Sequence, residues 1–164
     1  KLTDLLVSLN EIKKNKKTTV PLLLKISPDI KNGYIPEIAD AAIKHNISAI
    51  ILTNTTNGNR SNLKSKFKDE EGGLSGKPLY QLSNNMIKNF YKELKNKIPI
   101  IGVGGVNSGK SAYDKIVAGA SLLQLYTGFV YRGPSTAKEI KKELIEILKA
   151  EGIKNIEEAV GKGA

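Results

Sequence analysis

Four short apolar runs alternate along this chain with segments whose apolar positions recur at helical spacing. The runs at 20–26 (VPLLLKI), 47–52 (ISAIIL), 100–103 (IIGV) and 122–125 (LLQL) carry little polar alternation, the pattern of strands buried within a parallel sheet. Between and around them lie amphipathic stretches. Leu2, Leu5, Leu6, Leu9 and Ile12 predict an opening helix that fades into the lysine cluster at 13–17. A second helix is expected over 35–45, with Ile38, Ala41, Ala42 and Ile43 on its apolar side and Asn46 supplying a left-handed terminus. A third spans 82–94 and packs Met86, Ile87, Phe90, Tyr91 and Leu94 on the sheet. A fourth starts near Ser108, whose hydroxyl suits an N-cap. The fifth, at 137–150, carries Ile140, Leu144, Ile147 and Leu148, stops at Gly152, and is followed by a short helix at 155–160 closed by Gly161.

The residues just after each strand are chemically more telling than the strands. Lys25 stands near the end of the first run, where an unpaired buried ammonium would cost several kcal/mol, so it is expected where the strand meets a polar ligand. The second run ends in Thr53-Asn54-Thr55-Thr56, a cluster of short hydrogen-bonding side chains with no helix after it. A long polar segment at 57–71 then leads to Gly72-Gly73-Leu74-Ser75-Gly76-Lys77-Pro78, glycine-rich enough to lay main-chain N–H groups against a ligand. This is not a Walker A loop, because the Gly-x4-Gly-Lys-Ser/Thr spacing fails. The third run ends at Gly104-Gly105, which admits an anion to the backbone without a Cβ in the way, and the helix starting at Ser108 is expected to point its positive end at the same place. The fourth ends at Tyr126-Thr127-Gly128. Two consecutive strands with anion-binding ends suggest strands seven and eight of a (β/α)8 TIM barrel. Four strand–helix units are half of such a barrel, which needs about 250 residues; the other outcome is a smaller open α/β sheet. The abrupt start on a helix suggests further sequence before Lys1.

Composition narrows the chemistry. In 164 residues there is no Cys and a single His, His45, which leaves no thiolate site, cysteine nucleophile or histidine metal cluster, and no metal site is assigned. No apolar run reaches the ~20 residues of a membrane span, so the chain reads as soluble and cytoplasmic. The net charge of +10 raises the question of nucleic acid, but the lysines are spread among asparagines and isoleucines, and the one cluster, at 13–17, lacks stacking aromatics. That cluster is read as a solvated connector, and no nucleic-acid partner is expected. Another phosphate-binding barrel enzyme stays open on these observations.

Five segments together carry a resemblance. KISPD at 25–29, TNTT at 53–56, GGLSGKPL at 72–79, IIGVGGVNSG at 100–109 and AGASLLQLYTGFVYRGP at 118–134 resemble class 2, quinone-linked dihydroorotate dehydrogenases, in that family's order and spacing. The resemblance is to the C-terminal half of the enzyme, strands five to eight of its FMN-binding barrel, so residues 1–164 would form half of a single domain. It implies oxidation of dihydroorotate to orotate in pyrimidine synthesis, with hydride passing to FMN and electrons to a quinone. By the same resemblance Lys25, Thr53, Gly76, Gly105, Tyr126 and Thr127 bind FMN, the last three around its phosphate, and Asn54 and Thr55 bind orotate. The family's catalytic serine and membrane-associating segment would lie before Lys1. These 164 residues alone are therefore expected not to turn over substrate, and Ser27 and Ser75 are read as turn residues. The implied location is peripheral, on the cytoplasmic side of a bacterial-type membrane or at the mitochondrial inner membrane.

Overall fold

The computed structural model of the protein describes residues 1–58 and 60–164. Four parallel strands, β1 (Leu23–Ile26), β2 (Ala49–Leu52), β3 (Ile100–Val103) and β4 (Leu122–Gln124), lie side by side in their order along the chain. Helices α1 (Leu2–Asn15), α2 (Ile35–Lys44), α3 (Tyr80–Leu94), α4 (Gly109–Val117), α5 (Thr127–Arg132) and α6 (Thr136–Ala150) complete the layers. Helical connections between sequence-adjacent parallel strands place every strand's C-terminal end on one edge of the sheet. All the expected helices form, and α5 is an addition that the short FVYR segment did not signal.

One face of the sheet is packed and the other is open. Ile26, Ile50, Leu52 and Ile100 are buried with Ile35, Ala39 and Ala42 of α2 and Met86, Ile87, Phe90 and Leu94 of α3. A second cluster joins Ala112 and Ile116 of α4 to Ile140 and Leu144 of α6. On the opposite face the register aligns Lys25, Ile51, Ile101 and Leu122 in one row. Ile51 and Ile101 are half-buried there, and Leu122 is 60% exposed. Within the described residues the strands are therefore buried on one face only. Alternation along each strand sends half the side chains away from the helices, and nothing among the described residues covers them. β1 and β4 are also shorter than the apolar runs that announced them, with Val20 outside the sheet and 65% exposed. In α1 only Leu6 of the apolar stripe is fully buried, while Leu5 and Ile12 face outward.

Several local signals act as read. Asn46 takes φ 54° after α2, Gly152 takes φ 67° after α6, and Asn155 caps a 3-10 turn at Ile156–Ala159. Ser108 caps α4, accepting from Ser111 N, and Ser111 reciprocates to the Ser108 N–H. Among the described residues no helix is long and apolar enough to cross a membrane.

Candidate functional site

The loops that leave the C-terminal strand ends are tied together by a chain of polar contacts. After β1, Ser27 Oγ accepts from Asp29 N at 3.2 Å and turns the chain, as expected of it. The Asp29 carboxylate then reaches the loop after β2, accepting from Thr56 Oγ1 at 2.5 Å and Asn57 N at 2.8 Å. Thr56 pairs through its main chain with Leu74, N to O at 3.1 Å and O to N at 2.8 Å, which brings in the glycine-rich loop. From that loop Ser75 Oγ lies 2.8 Å from Thr127 Oγ1 at the end of β4. Ser75 is therefore more than a turn residue: it joins the glycine-rich loop to the fourth strand. Within the polar segment, Arg60 donates to the carbonyls of Lys68, Glu70 and Gly72, folding it back on itself; position 59 of that segment lies outside the described residues.

Asp29 is the acceptor that holds two of these loops. Asp29→Ala is expected to lower stability by about 1–2 kcal/mol, two charge-assisted hydrogen bonds discounted for solvent exposure. Urea unfolding checks this, and an unchanged midpoint would show that Asp29 does not clamp the loops.

The enclosed floor of the rim is lined by Thr53, Asn54 and Thr55 from β2, Ser75 and Gly76 from the glycine-rich loop, Gly104 and Gly105 from β3, and Tyr126, Thr127 and Gly128 from β4. All the expected site residues except Lys25 meet there. A cleft of about 490 Å³ continues outward past Lys77, Asn107, Tyr131 and Arg132. Two glycines make the floor possible. Gly76 adopts φ 80°, ψ −150°, a region closed to L side chains, and a Cβ on it would come within 2.9 Å of Thr127 Cγ2. Gly105 adopts φ 72°, and its Cβ would stand 2.6 Å from Tyr80 Cβ. No described residue accepts from the N–H of Gly105 or Val106, so these donors are available to a ligand. Thr53 is buried and its hydroxyl donates to the Asn54 carbonyl at 2.8 Å. Asn54 Oδ1 accepts from Thr55 N at 2.9 Å, and its Nδ2 has no partner among the described residues. Tyr126 lines the floor yet is 76% exposed as a residue.

Two expectations are corrected. Lys25 stands at the same end of the sheet, but on the open face of the edge strand, exposed and apart from the floor residues. Among the described residues β1 has a neighbour on one side only, and the Lys25 side chain is exposed. The N-terminus of α4 is largely capped from within the protein rather than left open to the rim. The N–H groups of Asn107, Ser108, Gly109 and Ser111 are taken by the Ser108 and Ser111 hydroxyls and by the Glu143 carboxylate, which accepts from Gly109 N. An anionic side chain of α6 already fills that positive end.

Sequence reasoning missed what lies beneath β3. Lys115 of α4 is completely buried, and its Nζ donates to Ser83 Oγ at 2.9 Å and Asn84 Oδ1 at 2.8 Å. Burial pushes its pKa down to about 7, opposed by the nearby charge of Asp114. Tyr80 donates to that carboxylate, and its own phenol is pushed up to about 12, chiefly by burial. The signal available was weak: a lysine one turn after Ala112, on the face that buries Ala112 and Ile116. Lys77 and Arg132 in the outer cleft likewise lie within the recognisable motifs but carried no expected role. Arg132 donates to the Asn107 carbonyl and pairs with Glu139 at 2.7 Å.

Comparison with known proteins gives this geometry a family. The dihydroorotate dehydrogenase family model matches residues 2–148. The chain is 47% identical over 142 residues to the mitochondrial dihydroorotate dehydrogenase (quinone) of Arabidopsis thaliana, covering 86% of this chain and 31% of that protein. It is 44% identical over 169 aligned positions to the dihydroorotate dehydrogenase (quinone) of Trichodesmium erythraeum, covering 98% of this chain and 43% of the relative. The ligand-free crystal structure of the Eimeria tenella dihydroorotate dehydrogenase superposes with a TM-score of 0.83 at 40% identity, over 86% of this chain and 39% of that one. The chain thus spans roughly a third to two-fifths of the length of the relatives it matches, and its consecutive parallel sheet is of the α/β TIM-barrel type. Family model, relatives and solved structure agree: the chain belongs to the dihydroorotate dehydrogenase family.

Proposed function

We propose that this chain is the C-terminal half, strands five to eight, of an FMN-binding barrel that oxidises dihydroorotate to orotate with a quinone as electron acceptor. The observation that carries the reading is the convergence of three strand ends and the glycine-rich loop on one floor lined by two conformationally restricted glycines, free main-chain donors and a hydroxyl pair. FMN fits these residues. The Gly105 and Val106 N–H groups and Thr127 suit its phosphate, with Gly76 and Tyr126 closing around it, and Lys77 and Arg132 add positive charge to the outer cleft. Thr53 and Lys25 serve the flavin ring. The open face on which Lys25 lies is the side that a closed barrel turns inward, and a cation there favours the anionic reduced ring. Bound FMN supplies the hydride-accepting chemistry. Asn54 and Thr55 suit orotate, since a side-chain amide can meet both a carbonyl and a ring N–H.

Among the described residues no His or carboxylate lines the floor or the cleft. By the family resemblance the proton acceptor is a serine before Lys1, and it is assigned to the N-terminal half of the barrel, which would also cover the row Lys25, Ile51, Ile101 and Leu122. Membrane association, peripheral and through that half, goes with the quinone. The test is anaerobic addition of dihydroorotate to the full-length protein. The expected result is a yellow protein whose visible flavin band bleaches on dihydroorotate and returns on a quinone. A colourless protein, or a flavin indifferent to dihydroorotate, would overturn the reading.

A further inference from the structure

We propose that Lys115 is a positioning residue for the phosphate-binding turn, acting through Ser83 on the main chain of β3 and so on the direction in which Gly105 presents its N–H. The inference rests on the reading of that turn as a phosphate site. Three consecutive residues of β3 and its turn meet the same buried assembly. A Cβ on Gly102 would lie 2.9 Å from Ala120 Cβ, 3.2 Å from Ile87 Cδ1 and 3.3 Å from Lys115 Cδ, so the lysine stem packs with these side chains against the bare backbone of β3. The Val103 carbonyl accepts from Ser83 Oγ, which is itself held by Lys115 Nζ. A Cβ on Gly104 would meet Ser83 Cβ at 3.1 Å. Asn84 takes a second N–H of the amine, fixing it against α3.

Stability alone does not account for a lysine here. It forms no ion pair among the described residues, its partners are neutral, and an apolar side chain would fill the same space without desolvating an amine. The groups facing it are few. Helix α3 brings Tyr80, whose ring centroid lies 5.5 Å from Nζ. Helix α4 brings Asp114, already engaged by Tyr80 and Lys110. Neither β3 nor residues 118–120 carry an ionisable side chain. An anion on the turn above would add to Asp114 in favouring the protonated form of the amine, which burial disfavours.

The test compares FMN with riboflavin, which lacks the phosphate, as ligands of the full-length protein. Lys115→Met is expected to weaken FMN by about tenfold or more while changing riboflavin less than about twofold. Ser83→Ala should do the same in smaller measure, and the double variant should be no worse than Lys115→Met, because the two act in series. Between pH 7 and 9, where the phosphate is already a dianion, the preference for FMN should fall in the unaltered protein and stay flat in Lys115→Met. Equal losses for both ligands, no loss for either, or additive effects would overturn the inference. If Lys115→Met yields no folded protein, Ser83→Ala and the pH profile decide it. Absence of FMN binding by the unaltered protein would overturn the functional reading and this inference with it, whereas FMN binding indifferent to Lys115 overturns this inference alone.

Discussion

Gly105→Ala is expected to abolish tight flavin binding, weakening FMN by about a hundredfold or more. A left-handed backbone costs an L residue about 1–2 kcal/mol. The new methyl would also stand 2.6 Å from Tyr80 Cβ and 2.9 Å from Tyr80 Cα, contacts that only a backbone shift relieves. Overpacking of that kind costs about 1–3 kcal/mol more. Roughly 3 kcal/mol in all corresponds to about a hundredfold in affinity if the shift falls on the ligand side. Tyr80 begins α3 and is anchored to Asp114, so the turn is the softer partner and moves away from its donor geometry. Flavin titration of the variant checks this. Retention of FMN with unchanged affinity would show that the Gly105 main chain does not hold the phosphate.

The second large effect is on stability. Native Lys115 gives up its proton near pH 7, whereas in the unfolded chain it keeps it to about 10.5. Between those values the unfolded state binds more protons, so stability rises with pH, by up to about 1.4 kcal/mol per unit. From pH 7 to 9 the gain is about 2 kcal/mol. Above pH 10 Tyr80 acts in the opposite direction, since the native state holds its phenolic proton to about 12 while the unfolded chain releases it earlier. Urea unfolding at pH 7, 8 and 9 should show the rise in the unaltered protein and a flat profile in Lys115→Met. Equal slopes in both would mean that another group is responsible.

The strand–helix order, the cap at Ser108, the short helix after Asn155 and the gathering of strand-end residues were legible because each depends on local pattern. Apolar runs mark strands, hydroxyls mark helix starts, and parallel topology then puts all strand ends on one edge. Burial was less legible, because it depends on what lies across the sheet. Ile51 and Ile101 look the same in sequence as Ile50 and Ile100, yet one pair faces the open side and the other faces α2 and α3. The burial of Lys25 and of Lys115 was hidden for the same reason. The lysine set in an apolar strand is exposed at an edge, while the one in a helix of mixed composition is the buried amine. Long-range pairings such as Asp29 with Thr56, Ser75 with Thr127 and Glu143 with Gly109 join residues that no spacing rule connects.

The most direct measurement is a crystal structure of the full-length protein with FMN. The expected result places the phosphate within hydrogen-bonding distance of the Gly105 and Thr127 main chain, with the ring running along the strand ends toward Asn54 and the Lys25 ammonium beside its pyrimidine edge. A flavin seated at the opposite end of the strands, or one that leaves Gly105 and Thr127 untouched, would contradict the account.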